Sequence, residues 1–492
     1  MSAKKAFRPK ARRPRGFEDR SGDVLRAEHQ LISAASKIYD DWGFEPLQTP
    51  AFEYAEALGK FLPDEERPNE GVFALEDDDG QWLSLRYDHT APLARFVAEH
   101  YQDLNKPYRR YQAGDVWRNE KPGPGRFRQF VQCDADTVGA ASAAADAEMI
   151  ALAAEVMRAA GLADQEYVIR VNDRRILDGV LESIGAADSA RRMRVLRAAD
   201  KLDRLGREGV ALLLGEGRKD ESGDFTEGAK LDPAGIDIVL NFLDATGGGR
   251  QDVIARLEPL VGGSETGKAG LAALAEIDAV LSAIGVGDDR AAFDPSVVRG
   301  LGYYTGPVYE AELLATAHYD DGQPIQFGSV GGGGRYDDLV ARFTGQAVPA
   351  TGFSFGVSRF AAALRALGRA GGDQDRPLVI VVASEKDRSA DYLAMAAQLR
   401  AVGYRAEASV GGGNMGKQMK YADRRGASVA VIVGSNEREA GEVTLKDLKL
   451  GAKLAANIED NKAWREDQPA QMTVPNGRWI EAVGEIIARH SS

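Results

Sequence analysis

Between Tyr108 and Gly139 the chain reads YRRYQAGDVWRNE, then KPGPG, then RFRQFVQCDADTV. Two runs of strand-like composition joined by a Pro- and Gly-rich turn predict a β-hairpin. Alternate side chains of a strand share a face, so Arg126, Arg128, Phe130, Gln132, Asp134 and Asp136 point one way and Phe127, Val131, Cys133 and Ala135 the other. The second face is an ordinary packing surface. The first is a poor one, and solvent exposure explains its charges but not Phe130 among them. An aromatic ring flanked by guanidiniums suits stacking on a nucleotide base.

Four further clusters carry polar groups at readable spacing. In LSLRYDHTAPLARF (83–96), Asp88, His89 and Thr90 sit where a strand gives way to a helix with Pro92 in its first turn. Asp88 and Thr90 could hold an ammonium group together, and they equally fit helix capping. VVRGLGYYTGPVYE (297–310) places Arg299, Tyr303 and Tyr304 around a Gly-rich turn. GSVGGGGRYDDLVARF (328–343) has the look of a phosphate-cradling loop but lacks the Lys-Ser/Thr of a P-loop and the GxGxxG spacing. TGFSFGVSRF (351–360) reads as a strand leading into a helix that carries Arg359.

The elements that must position these groups are mixed α and β. Apolar residues recur at helical spacing over about 24–43 and 145–159, and GFEPLQTP and EYVIRV read as extended. From 186 to 288 the pattern turns helical and carries no chemical motif, so we read a helical insertion between two parts of one domain, 17–185 and 289–367. A Gly- and Asp-rich linker, 368–377, precedes an α/β domain over 378–492. There Lys417, Lys420 and Arg424 share one helical face with Arg425 beside it, which is either a solvated face or a phosphate-binding one. The first 16 residues hold seven Lys or Arg and no acid, a block that reads as a mobile tail, either simply solvated or with affinity for phosphates.

A chain of 492 residues calls for several domains. Its 75 acidic against 62 basic residues, a net charge of −13, exclude a surface coated uniformly for nucleic acid, so any RNA contact is local. One cysteine, Cys133, excludes an internal disulfide framework. Five histidines far apart in sequence make no structural metal site. No apolar run reaches the roughly 20 residues of a membrane span, and the N-terminus lacks the apolar core of a secretory signal. A cytoplasmic protein is expected.

The hairpin resembles motif 2 of the class II aminoacyl-tRNA synthetases: Arg-x-Glu, a loop, then Arg-x-x-x-Phe, here Arg118, Glu120, Arg126 and Phe130. RYDHT resembles the segment of that family that binds the α-amino group. RGLGYY resembles the Arg-Gly-Leu-Asp-Tyr-Tyr motif and GGRYDDL the GGRYDxL motif of the histidyl-tRNA synthetases, and TGFSFGVSRF resembles motif 3. The resemblance spans residues 83–360, and the C-terminal domain is similar to the anticodon-binding domain of the same family. It implies an antiparallel-sheet catalytic domain with a helical insertion, an α+β fold, followed by an α/β anticodon-binding domain. It further implies a homodimer that activates L-histidine with ATP and Mg²⁺, no protein ligand for the metal being identified, and then charges tRNA(His). By resemblance, Arg118 and Arg299 act on the carboxylate and α-phosphate, Glu120, Phe130 and Arg359 hold the adenine, and Arg126 holds the terminal phosphates. Asp88, His89, Thr90, Gln132, Asp136, Tyr303, Tyr304 and Tyr336 surround the histidine, with Asp136 and Tyr304 on the two imidazole nitrogens. Attack of a carboxylate on phosphorus gathers negative charge, which fixed guanidiniums stabilise.

Three positions depart from the pattern. Gly302 replaces the usual acid after Arg-Gly-Leu, Ser358 replaces the Glu before Arg359, and the motif 2 loop KPGPG leaves Lys121 as its RNA contact. A regulatory paralogue that binds partner enzymes without charging RNA would lack the C-terminal domain and erode the arginine set. This chain keeps both.

Overall fold

The computed structural model describes residues 9–58, 71–122, 127–219, 223–298, 304–318, 324–325, 327–369, 376–411, 413–455 and 470–490. Arg126, Arg299, Gly302 and Tyr303 lie outside them. The chain divides into two compact units, 1–370 and 371–492.

The first unit is built on an eight-stranded sheet. Its strands, in chain order, are β1 (Glu45–Pro46), β2 (Tyr108–Trp117), β3 (Gln129–Val138), β4 (Tyr167–Asp173), β5 (Ala291–Phe293), β6 (Pro307–Leu313), β7 (Gly328–Arg335) and β8 (Ala350–Gly356). Their spatial order is β1-β2-β3-β8-β7-β6-β4-β5. Every pairing is antiparallel except those at the two edges, β1 with β2 and β4 with β5. The hairpin β2/β3 pairs without a bulge from Tyr108↔Val138 to Trp117↔Gln129, so the alternation of β3 is preserved along its length. Its odd residues Val131, Cys133 and Ala135 enter the apolar core with Leu31, Ala35 and Ile38 of α1 (Asp23–Asp41), Ile150 of α3 (Ala144–Ala159) and Phe360 of α4 (Val357–Ala366). One face of the sheet is thus covered by helices. The even residues of β3 are left to the other face, where α2 (Thr90–Glu99) begins.

Residues 186–288 supply further helices. Starts are marked by side chains that accept backbone N–H groups: Asp188 from Arg191 (3.0 Å), Asp232 from Gly235 (2.7 Å), with Pro233 in the first turn, and Ser264 from Gly267 (3.0 Å). Their apolar faces, including Val195, Leu214, Phe242, Leu257 and Leu274, are continuous with the core under the sheet. This segment also contains a short hairpin, Gly217–Lys219 with Phe225–Glu227, that helical periodicity does not reveal.

In the second unit, Leu378–Val382 lies between the parallel strands Arg405–Ala408 and Val429–Ile432. Two antiparallel strands, Glu442–Asp447 and Gln471–Pro475, extend that sheet. The fully buried LVIVV run explains its unbroken apolar sequence, since helices cover both faces of a parallel strand.

Candidate active site

The uncovered face of the first sheet forms the floor of a cavity of about 920 Å³. Register assembles it in rows across the strands. The first row is Arg110, Asp136, Gly352 and Gly334, each the direct cross-strand partner of the next. The second is Gln112, Asp134, Ser354, Gly332 and Glu310. The third pairs Gln132 with Gly356, and Phe130 follows at the open end. Asp88, Thr90, Arg118, Glu120, Lys121, Tyr304, Tyr336 and Arg359 close the walls. The cavity therefore brings together residues spread from position 88 to position 359.

At the inner end the groups are buried and paired. Asp136 faces the Arg110 guanidinium at 2.8 Å, and Tyr336 donates its hydroxyl to the same carboxylate. Burial, with the Asp134 charge adding to it, outweighs Arg110 and lifts the Asp136 carboxyl to about 6. Two glycines make this geometry possible. A Cβ on Gly352 would lie 1.9 Å from Asp136 Oδ1, and one on Gly334 would lie 2.9 Å from the Tyr304 ring. Since Gly334 and Gly352 are direct partners, Asp136 and Tyr304 converge on one bare patch of backbone. Thr305 fixes the Tyr304 end, its N–H bonding to the Arg335 carbonyl (2.8 Å) and its hydroxyl to Asp337 (3.1 Å).

Asp88 divides its two oxygens between the helix and the cavity. Its Oδ1 caps α2, accepting from the Thr90 and Ala91 N–H groups at 3.0 Å each. Its Oδ2 is buried without a hydrogen bond among the described residues, as is Gln132 Oε1. Burial pushes the Asp88 carboxyl above its usual range, against the Ala91 N–H that favours its charged form. Two orphaned acceptors in a cavity wall cost stability unless a donor arrives, and an ammonium group supplies three. His89 does not join them. Its ring is fully buried behind the cavity, with Nδ1 3.4 Å from Asp134, and its carbonyl accepts from Arg110.

The outer end is open. The Arg118 guanidinium lies 5.2 Å from the Phe130 ring centre, while Glu120, Lys121 and Arg359 are exposed. Arg359 donates to the Phe327 carbonyl (2.6 Å). Ser358, in place of the usual Glu, ties this end to α1: its hydroxyl donates to Glu28 (2.7 Å) and accepts the Val131 N–H (3.1 Å). Glu28 is itself buried and held by Arg20 at 3.0 Å. The acid missing before Arg359 thus has a counterpart on another element. Arg110, Glu28 and the glycine pair were not singled out from sequence; of these only Arg110 was within reach, because the hairpin register sets it opposite Asp136.

The Gly-rich run at 328–335 is a strand and not a phosphate loop. Its Arg335 is structural, bonding Asp146 (2.9 Å) and the carbonyls of Ala140 and Ser142.

Comparison with known proteins matches residues 16–360 to the model of the histidyl-tRNA synthetases. The chain belongs to the histidyl-tRNA synthetase family. Residues 378–464 of the chain match an anticodon binding domain. The histidine--tRNA ligase of Caulobacter vibrioides is 56% identical over 98% of this chain and 97% of its own length. That of Brucella ovis is 55% identical over 99% and 97%. Among solved structures, histidyl-tRNA synthetase from Nostoc sp. PCC 7120 superposes with a TM-score of 0.73 at 29% identity, covering 98% of this chain and all of the other. The expected fold class, a class II synthetase sheet followed by a separate α/β domain, is borne out.

Proposed function

We propose that this protein is a histidine-tRNA ligase: the carboxylate of L-histidine attacks the α-phosphorus of ATP, pyrophosphate leaves, and the acyl group of histidyl-adenylate passes to the 3′-terminal ribose of tRNA(His) as AMP departs. The observation that carries the choice of histidine is the convergence of Asp136 and Tyr304 on the Gly334 and Gly352 pair. One imidazole N–H donates to Asp136, steadied by Tyr336, and Tyr304 meets the other nitrogen, which fixes orientation and tautomer. The ammonium group occupies the orphaned acceptors of Asp88 and Gln132 with Thr90 beside them. Arg118 holds the reacting carboxylate and α-phosphate, and the adenine lies between Phe130 and Arg359 with its amino group on Glu120. Arg126, Arg299 and Tyr303 complete the set by family resemblance.

Mg²⁺ enters in this proposal on the nucleotide's own phosphates. Among the described residues no group of three or more His, Cys, Asp or Glu could hold a metal ion, so no protein ligand is assigned and no step rests on one. For the transfer RNA, Lys121 stands at the cavity mouth, and Lys417, Lys420 and Arg424 are exposed on one helix of the second unit. Two copies are assigned to the working enzyme. The surface that supports this is the small sheet of Phe52–Tyr54, Ala74–Glu76 and Trp82–Leu85, which leaves Phe52, Tyr54 and Leu75 exposed on one face. A cytoplasmic location fits a chain in which, among the described residues, no helix is long and apolar enough to cross a membrane.

The deciding experiment is ATP and pyrophosphate exchange with each amino acid in turn. Exchange that depends on L-histidine alone is expected; exchange with another amino acid and not histidine overturns the assignment.

A further inference from the structure

The basic N-terminal segment ends in two anchors beside the cavity mouth. The Gly16 carbonyl accepts the Arg128 N–H at 2.8 Å, at the start of β3. Gly16 has φ +84°, and a Cβ there would lie 2.9 Å from the Arg128 side chain and 3.1 Å from Pro122, so the segment presses on the motif 2 hairpin. Phe17 packs on Phe73 with ring centres 5.7 Å apart, and Arg128 lies over the same Phe73 ring at 5.9 Å. Four residues on, Arg20 plugs into the network described above, pairing with Asp115 at 2.8 Å and Glu28 at 3.0 Å. Lys121, Pro122 and Arg128 all line the cavity.

From these anchors Lys10, Arg12, Arg13 and Arg15 extend exposed. Among the described residues, the one ion pair of these four cations joins Arg13 to Asp19 at 3.8 Å, on the surface. Four cations in six residues, on a chain of net charge −13, make a local site for a polyanion. Its position selects which one, because the RNA terminus that accepts the acyl group has to reach this same mouth.

Resting on the ligase function above, we propose that residues 10–15 are an RNA-binding arm, docked on the motif 2 hairpin through Gly16 and Arg20, that grips the acceptor-stem phosphates of the transfer RNA. The arm supplies the cationic contacts that the KPGPG loop, with Lys121 as its lone cation, does not.

The test compares two variants of the full-length protein with wild type in two assays, RNA-independent pyrophosphate exchange and aminoacylation. Replacing Lys10, Arg12, Arg13 and Arg15 together by Gln should raise the KM for transfer RNA about tenfold or more and flatten its log–log salt dependence by about 3, near 0.7–0.9 for each phosphate no longer neutralised. Exchange should stay within twofold. Gly16→Val keeps every charge but cannot hold the dock, and should raise the same KM by a smaller factor. An unchanged KM and salt slope in the first variant overturns the arm. A Gly16→Val variant with wild-type KM overturns the docking, and equal losses in exchange and charging would show that the segment serves the fold. Absence of histidine-dependent exchange in the wild type would instead sink the ligase function itself.

Discussion

The two ends of the cavity are built on opposite principles. Asp88, Gln132, Asp136 and Tyr336 at the inner end are all buried, and Arg110 behind them is wholly excluded from solvent. Glu120, Lys121 and Arg359 at the outer end are exposed. Discrimination between amino acids rests on groups that lose their partner atoms when the wrong ring enters, and burial makes that loss expensive. Binding a nucleotide places fewer demands on burial, since guanidiniums stay charged in any surroundings and an aromatic face needs only a flat partner.

The contrast can be broken by substitution, beginning with the largest effect. Arg118→Ala, and likewise Arg299→Ala, should cut histidine-dependent exchange by roughly 10² or more, as for loss of a charge-stabilising donor. Near-normal exchange would remove that arginine from the chemistry. Asp136→Asn should act on selectivity. Burial lifts its carboxyl to about 6, and the ionised form is the stronger acceptor for a ring N–H. With a triazole analogue of histidine, whose ring stays uncharged across the range, kcat/KM should therefore climb with pH up to about 6 and level off above it. The Asn variant should lose that climb; a parallel profile refutes the role. Ser358→Ala, at the outer end proposed for the nucleotide, orphans the Val131 N–H, removes one hydrogen bond to Glu28 and should raise the KM for ATP about fivefold, equivalent to about 1 kcal/mol. The KM for histidine should hold, and a change confined to histidine would mean that the two ends are not separate. Lys420→Ala, in the second unit, should be the mildest, raising the KM for transfer RNA by about twofold and leaving exchange intact.

The outer end was more legible in the sequence than the inner one. Phe130, Arg118 and Glu120 lie within thirteen residues, and strand parity alone sorts Phe130, Gln132 and Asp136 from Val131, Cys133 and Ala135. The inner end depends on register between strands far apart in sequence. Nothing in TGF or GGGGR states that Gly352 meets Gly334. The hydrogen bond from Ser358 to Glu28 spans 330 positions and has no local signature. Asp88 shows a third case: the capping reading holds for one oxygen, and the second oxygen leaves the ammonium reading open as proposed above. His89 shows the converse: its neighbours face the cavity while the turn into α2 sends its ring behind the wall. The antiparallel extension of the second unit escaped because Glu442–Asp447 and Gln471–Pro475 lie far apart in sequence, with no local turn to announce their pairing.

The glycine floor limits how this enzyme could change its substrate. Where a pocket is walled by side chains, trimming one enlarges it. Here one wall is already stripped to main chain at Gly332, Gly334 and Gly352, and nothing remains there to trim. A Cβ on Gly332 would come no closer than 3.4 Å to any neighbour, so that wall can be thickened at small cost. Divergence along it runs in one direction, toward smaller amino acids, and any route to a larger one has to begin at Tyr304 or Tyr336, the residues proposed above to stand around the histidine ring.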